Sequence, residues 1–141
     1  MKLKFAVIAV ALAVFAFAQE TTRSVWDGVY SDAQAKRGAE LYASKCASCH
    51  GDQLTGGEMA PPLAGPEFMS NWNGLTAGDL FDRIRTTMPA NKPGSLSREV
   101  NADILAYMFA ASKFPAGSTD LPQATEVLKQ IKIEAEKPAK K

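Results

Sequence analysis

Histidine is almost missing from this chain, with one in 141 residues, and cysteine is scarce, with two. A structural zinc site wants about four ligands. Two cysteines and one histidine would leave it to a carboxylate or water, and a disulfide-rich scaffold is excluded outright. Long apolar runs are also lacking. The longest, Phe5 to Ala18, covers fourteen residues, against the roughly 20 that a membrane-spanning helix needs. Charge of one sign is missing too: 16 basic residues face 15 acidic ones. Nucleic-acid binders usually carry a basic excess, and a balanced chain has no whole-molecule field strong enough to select a partner. No stretch before residue 125 alternates convincingly like a strand, and no internal repeat is visible.

The apolar run has a purpose of its own. Lys2 and Lys4 precede it, and it closes on Ala16-Phe17-Ala18, the small-x-small pattern of a signal-peptidase cut. Residues 1–18 are therefore expected to be a signal peptide cleaved after Ala18, with an uncleaved anchor as the alternative. No cysteine follows closely enough for a lipoprotein anchor. The mature chain would begin near Gln19 and carry 14 basic and 15 acidic residues. It would be periplasmic, with no stable membrane anchor after cleavage. Its expected divisions are an N-terminal segment (19–30), one domain (31–122) and a C-terminal extension (123–141).

Both cysteines and the histidine fall within five positions, Cys46-Ala-Ser-Cys49-His50. Exported cysteines normally pair, yet a bridge between i and i+3 closes a tiny loop and constrains little. A dithiol redox site would open a helix, whose N-terminus lowers the thiol pKa; here a helical pattern comes before the motif. Haem attachment uses all three residues. Cys46 and Cys49 would each add to a vinyl group, and His50 would ligate the iron from the proximal side.

A sixth ligand cannot be a second histidine from this chain. Methionine is the remaining strong candidate, at Met59, Met69, Met88 or Met108. Met108 lies in the helical pattern "ADILAYMFAAS", where methionine is usually core filler. Met59 is nine residues from His50 and would need a tight wrap, and Met69 lies in a loop-like stretch. Met88 follows "LTAGDLFDRIRTT", which opens on Thr76 as a cap with Asp79 three residues later. Pro89 biases Met88 to an extended conformation as the helix stops. Met88 is the expected ligand, with a buried loop methionine as the alternative.

The combination "CASCHG", "PPLAG" and "TTMP" ahead of a final helix resembles a class I, mono-haem cytochrome c. It is similar to the cytochromes and cytochrome domains associated with periplasmic quinoprotein dehydrogenases. The resemblance runs from about Val25 to Pro122. It implies that Gly38 and Tyr42 cross the last helix near Tyr107, and that the Pro61 carbonyl accepts a hydrogen bond from the proximal imidazole. It further implies that Leu63 and Ile84 pack on the haem and that Trp72 donates to a propionate. The loop around Met88, with Pro89, Pro93 and Gly94, lacks the lysine-rich surface of mitochondrial relatives.

The resemblance implies three to four main helices around one covalently bound haem c, and local signals agree with it in pointing to an all-α fold. Ser31 caps a helix toward Cys46, with Ala35, Gly38, Ala39 and Tyr42 on one narrow stripe. Ser97 caps a last helix that is apolar on several sides and ends at Phe114-Pro115. The stretch Thr125 to Lys141 could dock as a short helix or strap, but its charge pattern favours a solvated tail over a partner-binding arm. The function expected is single-electron transfer, not enzyme catalysis. The chain would take electrons from a dehydrogenase and pass them to a downstream cytochrome or terminal oxidase through a small docking interface. The alternatives are a five-coordinate gas-binding haem sensor and a fixed subunit of a dehydrogenase complex.

Overall fold

The computed structural model describes residues 23–139, so the expected signal peptide lies outside the described residues. Four helices of two turns or more make the frame: α1 (Asp32–Lys45), α3 (Gly65–Trp72), α4 (Ala77–Thr87) and α5 (Arg98–Ala111). Two single turns, α2 (Ala47–His50) and α6 (Thr125–Leu128), a 3-10 turn (Val25–Asp27) and a pair of two-residue strands, β1 (Arg23–Ser24) and β2 (Ile131–Lys132), complete it. Among the described residues no helix is long and apolar enough to cross a membrane.

Side-chain caps start three of these helices. Ser31 Oγ accepts the Gln34 N–H at 3.1 Å and Ser97 Oγ accepts that of Val100 at 3.2 Å. Thr76 and Asp79 form a reciprocal capping box at 3.1 and 3.0 Å. Such caps satisfy N–H groups that the helix cannot, at about 1 kcal/mol each. Helix α5 stops before Phe114-Pro115. Lys113 turns left-handed (φ 68°), and the Phe114 and Lys113 N–H groups return to the carbonyls of Phe109 and Ala110, which closes a Schellman motif. Helix α3 was not legible as one: the stretch holding Met69 read as loop, yet Pro66 sits in the first turn of a helix, where its missing N–H costs nothing.

Helices α1 and α5 cross at Gly38. A Cβ placed there would lie 1.8 Å from the Asp103 carbonyl oxygen and 2.9 Å from Tyr107 Cβ, so only a residue without a side chain allows this approach. Above and below the crossing, Arg37 holds Asp103 through Nε–Oδ2 at 3.0 Å and Nη2–Oδ1 at 3.1 Å. The Tyr42 and Tyr107 rings meet at 5.4 Å. The core then continues through Leu105, Met108 and Phe109 of α5 to Leu80 and Phe81 of α4, all buried.

The chain beyond α5 wraps this core, so the solvated reading of the tail needs correction. Gln34 spans to it in both directions, donating to the Leu121 carbonyl at 3.1 Å and accepting the Leu121 N–H at 2.6 Å. Leu128, Ile131 and Ile133 are buried, and β2 pairs in parallel with β1. The physical reason is apolar spacing that switches from helical at Leu128 to alternating at Ile131 and Ile133. That switch lets a turn and a strand bury one continuous face, which charge patterning alone does not reveal.

Candidate haem attachment site

The motif occupies a single helical turn. The Cys49 and His50 N–H groups both return to the Cys46 carbonyl, at 3.2 and 3.0 Å, and that of Gly51 to Ala47 at 2.8 Å. Residues three and four apart on such a turn share a face, so Cys46, Cys49 and His50 present their side chains together. Both cysteines are free thiols, Cys46 half-buried and Cys49 exposed. Burial pushes the Cys46 thiol upward, reinforced by Cys49 and opposed by Lys45. A dithiol redox pair needs a lowered thiol, which argues against that reading. Among the described residues no three His, Cys, Asp or Glu side chains could hold a bare metal ion.

His50 is 7% exposed, and its Nδ1 lies 2.8 Å from the Pro61 carbonyl. A carbonyl has no proton to give, so Nδ1 is the donor, which in the neutral ring leaves the lone pair on Nε2. Backbone bonds hold the contact in place. The Gly56 N–H donates to the His50 carbonyl at 2.8 Å, and that of Leu63 to Leu54 at 2.9 Å. Gly56 takes φ +77°, and a Cβ there would meet Pro62 N at 2.7 Å, so glycine lets the loop fold back on Pro61. Tyr42 joins the same loop, its hydroxyl donating to the Gly51 carbonyl at 2.7 Å. Burial, with the Cys46, Tyr107 and Asp52 charges, pushes that phenol up to about 12, so it stays a donor.

The donor set therefore fits a covalent haem: two unpaired thiols and one imidazole nitrogen, on one side of a turn, with the ring already oriented. Apolar side chains half-buried against the core, including Leu63, Trp72, Ile84 and Leu96, supply partly uncovered surface. The Trp72 indole N–H donates to no atom among the described residues and remains open to another acceptor.

The four methionines separate by environment. Met108 is fully buried and Met59 is 90% exposed. Met69 is half-buried and packs against the core. Met88 is half-buried but stands outside the core cluster. It caps α4 in an extended conformation (φ −116°, ψ 155°), its N–H bonded to Ile84 at 2.9 Å. Its loop is closed by the Gly94 N–H on the Met88 carbonyl at 3.3 Å. Asn101 Nδ2 secures the far end on the Leu96 and Ser97 carbonyls at 3.2 and 2.8 Å. Sequence reasoning missed Asn101, because an asparagine inside a helix carries no signal that it faces the preceding loop.

A turn bearing two thiols and a fixed imidazole, set against crossed helices, defines a c-type cytochrome domain. Residues 33–108 match the family described as cytochrome c oxidase, cbb3-type, subunit III, and the chain belongs to that family. It is a cytochrome c domain involved in electron transfer, and membership of the family implies covalently bound haem c. Among similar proteins, thiosulfate dehydrogenase from Stutzerimonas stutzeri (strain A1501) is 36% identical over 81 residues, 51% of this chain and 25% of that protein. Cytochrome c-554(547) from Halothiobacillus neapolitanus is 43% identical over 60 residues, 43% of this chain and 52% of that protein. The chain thus spans about a quarter and about half of these two relatives. The crystal structure of the sulfane dehydrogenase SoxCD from Paracoccus pantotrophus shares the fold: TM-score 0.51, 22% identity, with 93% of this chain and 68% of that one covered.

Proposed function

We propose that this chain is a periplasmic single-haem electron carrier that takes electrons from a dehydrogenase and passes them to a downstream cytochrome or terminal oxidase. It is not itself the enzyme. Cys46 and Cys49 would hold the haem, and His50 Nε2 and Met88 Sδ would ligate its iron. The haem supplies reversible one-electron chemistry. The chain's own residues orient and exclude. The Pro61 carbonyl fixes the His50 ring and increases its donor strength, and the half-buried apolar side chains keep water away. The observation that carries this reading is the 2.8 Å contact of His50 Nδ1 with Pro61, beside two unpaired thiols. With both ligands supplied by the chain, the iron would offer no site for a substrate, which favours transfer over catalysis. The match to part of a thiosulfate dehydrogenase supports a dehydrogenase as the donor.

The test is the absorption spectrum of protein matured in a periplasm that attaches c-type haem, recorded oxidised, reduced, and reduced with carbon monoxide. A sulfur-to-iron band in the oxidised form and no response to carbon monoxide are expected. Met88→Ala should keep the haem attached, lose the band and bind carbon monoxide, whereas Cys46→Ala should impair attachment. Rapid carbon monoxide binding by the unaltered protein would overturn the carrier reading in favour of a gas-binding haem.

A further inference from the structure

Helix α4 delivers Met88 at its C-cap, but its own contacts are only part of what holds it. The rest come from the tail. The Gly74 N–H donates to the Ile133 carbonyl and the Ile133 N–H to the Leu75 carbonyl, both at 2.8 Å, and Thr76 bridges to Lys132. These bonds pin the chain entering α4. On the first turn, a Cβ at Gly78 would lie 2.6 Å from the Lys129 nitrogen and 2.9 Å from its Cα, so helix and tail touch backbone to backbone. In the middle of the helix, Thr125 Oγ1 donates to Asp82 Oδ1 at 2.9 Å. Arg98, at the start of α5, donates to the Gln123 carbonyl at 2.9 Å and lies 5.7 Å over the Phe81 ring.

The strap is in turn anchored away from α4. Its strand β2 pairs with β1, the Trp26 indole donates to the Glu134 carbonyl at 2.9 Å, and the Ala135 N–H donates to Asn73 Oδ1 at 2.8 Å. Leu128, Ile131 and Ile133 are buried beneath it. A helix clamped at its entry, first turn and middle has little freedom to slide or rotate. The residue leaving its C-terminal end inherits that restraint, because the Met88 N–H is still bonded to Ile84.

We infer that residues 125–135 are a positioning strap for α4, and that Gly78 and Thr125 act through α4 to keep Met88 at the sixth position. The inference rests on Met88 being the axial ligand. In this arrangement the strap governs local opening of the iron rather than the chemistry at it, and opening at one end of a helix is the kind of sub-global event that separates from unfolding.

The experiment uses the full haem-loaded chain with Gly78→Ala, and Thr125→Val as the milder second variant. Alanine favours a helix over glycine, so Gly78→Ala strengthens α4 locally, and any loosening comes from the displaced strap. The oxidised sulfur-to-iron band and far-ultraviolet helix signal are followed together through a urea titration. Carbon monoxide binding is timed on the reduced protein. The band should vanish at lower urea than the helix signal, and the reduced variant should bind carbon monoxide, to which the unaltered protein does not respond. Should Gly78→Ala fail to fold, Thr125→Val decides in the same way. Band and helix lost together, or carbon monoxide binding unchanged, would show a merely structural tail and overturn the inference. If Met88→Ala leaves the band intact, the ligand reading itself fails and this inference falls with it, an outcome told apart because the ligand variant alone reveals it.

Discussion

The tightest approach between helices gives the sharpest test of the frame. Gly38→Ala would place a methyl group 1.8 Å from the Asp103 carbonyl oxygen, whereas real Cβ contacts essentially never fall under 3.0 Å. Helices α1 and α5 must then separate locally by about 1.2 Å, the difference between those two distances. Overpacking of a close-packed interior costs about 1–3 kcal/mol. The same displacement stretches both Arg37–Asp103 bonds and leaves a carboxylate that is 6% exposed less well paired, adding about 1–3 kcal/mol. The lower end of that range applies, because Arg37 is itself 47% exposed and solvent screens it. Alanine returns about 1 kcal/mol of helix propensity. The net expectation is a loss of about 1–3 kcal/mol, a sizeable share of the 5–15 kcal/mol typical of a domain. Urea unfolding of the haem-loaded protein, followed by far-ultraviolet circular dichroism, reads this directly. Its sign is diagnostic. An uncrowded site would gain about 1 kcal/mol from the same substitution, so an unchanged or raised midpoint would refute the close crossing.

Gln34→Leu removes the side chain that serves both the N–H and the carbonyl of Leu121; with two buried backbone groups left unpaired, stability should fall by about 2–3 kcal/mol, read as a lowered urea midpoint. The Asp120 carboxyl is held below its ordinary 3.8 by the Ser31 hydroxyl, then by Arg37. The folded state therefore binds its proton less readily than the unfolded one. The contribution is fully present above 3.8 and is lost as pH falls through the depressed folded value. The midpoint difference between wild type and Asp120→Asn should be present near neutrality and vanish in strong acid. It should also shrink in salt, since the Arg37 pair is half-exposed; a difference that grows on acidification would contradict the sign.

What could be read from the sequence was whatever is written locally. The three caps at Ser31, Thr76 and Ser97 follow from residue type and spacing, because each hydroxyl oxygen accepts from an N–H in its own helix's first turn. The extended backbone at Met88 follows from the proline beside it, and the shared face of Cys46, Cys49 and His50 from one helical turn. What was hidden depends on partners far along the chain. Gln34 meets Leu121 across 87 positions and Trp26 meets Glu134 across 108, and nothing near either residue announces the pairing. Gly78 looks like a mild defect in a helix until Lys129 arrives beside it. The tail misled for the same reason, since its alternating charges describe one face while its isoleucines describe the other.

The distribution of methionines joins these two kinds of information. From sequence, Met69 and Met88 differ only in neighbours: one follows Phe68, the other precedes Pro89. In the structure both are half-buried, yet Met69 packs against the core while Met88 stands apart from it. A methionine that leaves the core forgoes the dispersion contacts that a flexible thioether gathers so easily. Its position is nonetheless defined at both ends, by Ile84 on the helix side and Gly94 on the loop side. Ordering with only partial burial costs conformational entropy that packing repays only in part. A residue whose backbone is fixed while its side chain stands apart from the core suits the ligand role proposed for it, and His50, though buried, is likewise fixed, by its Nδ1 contact with Pro61.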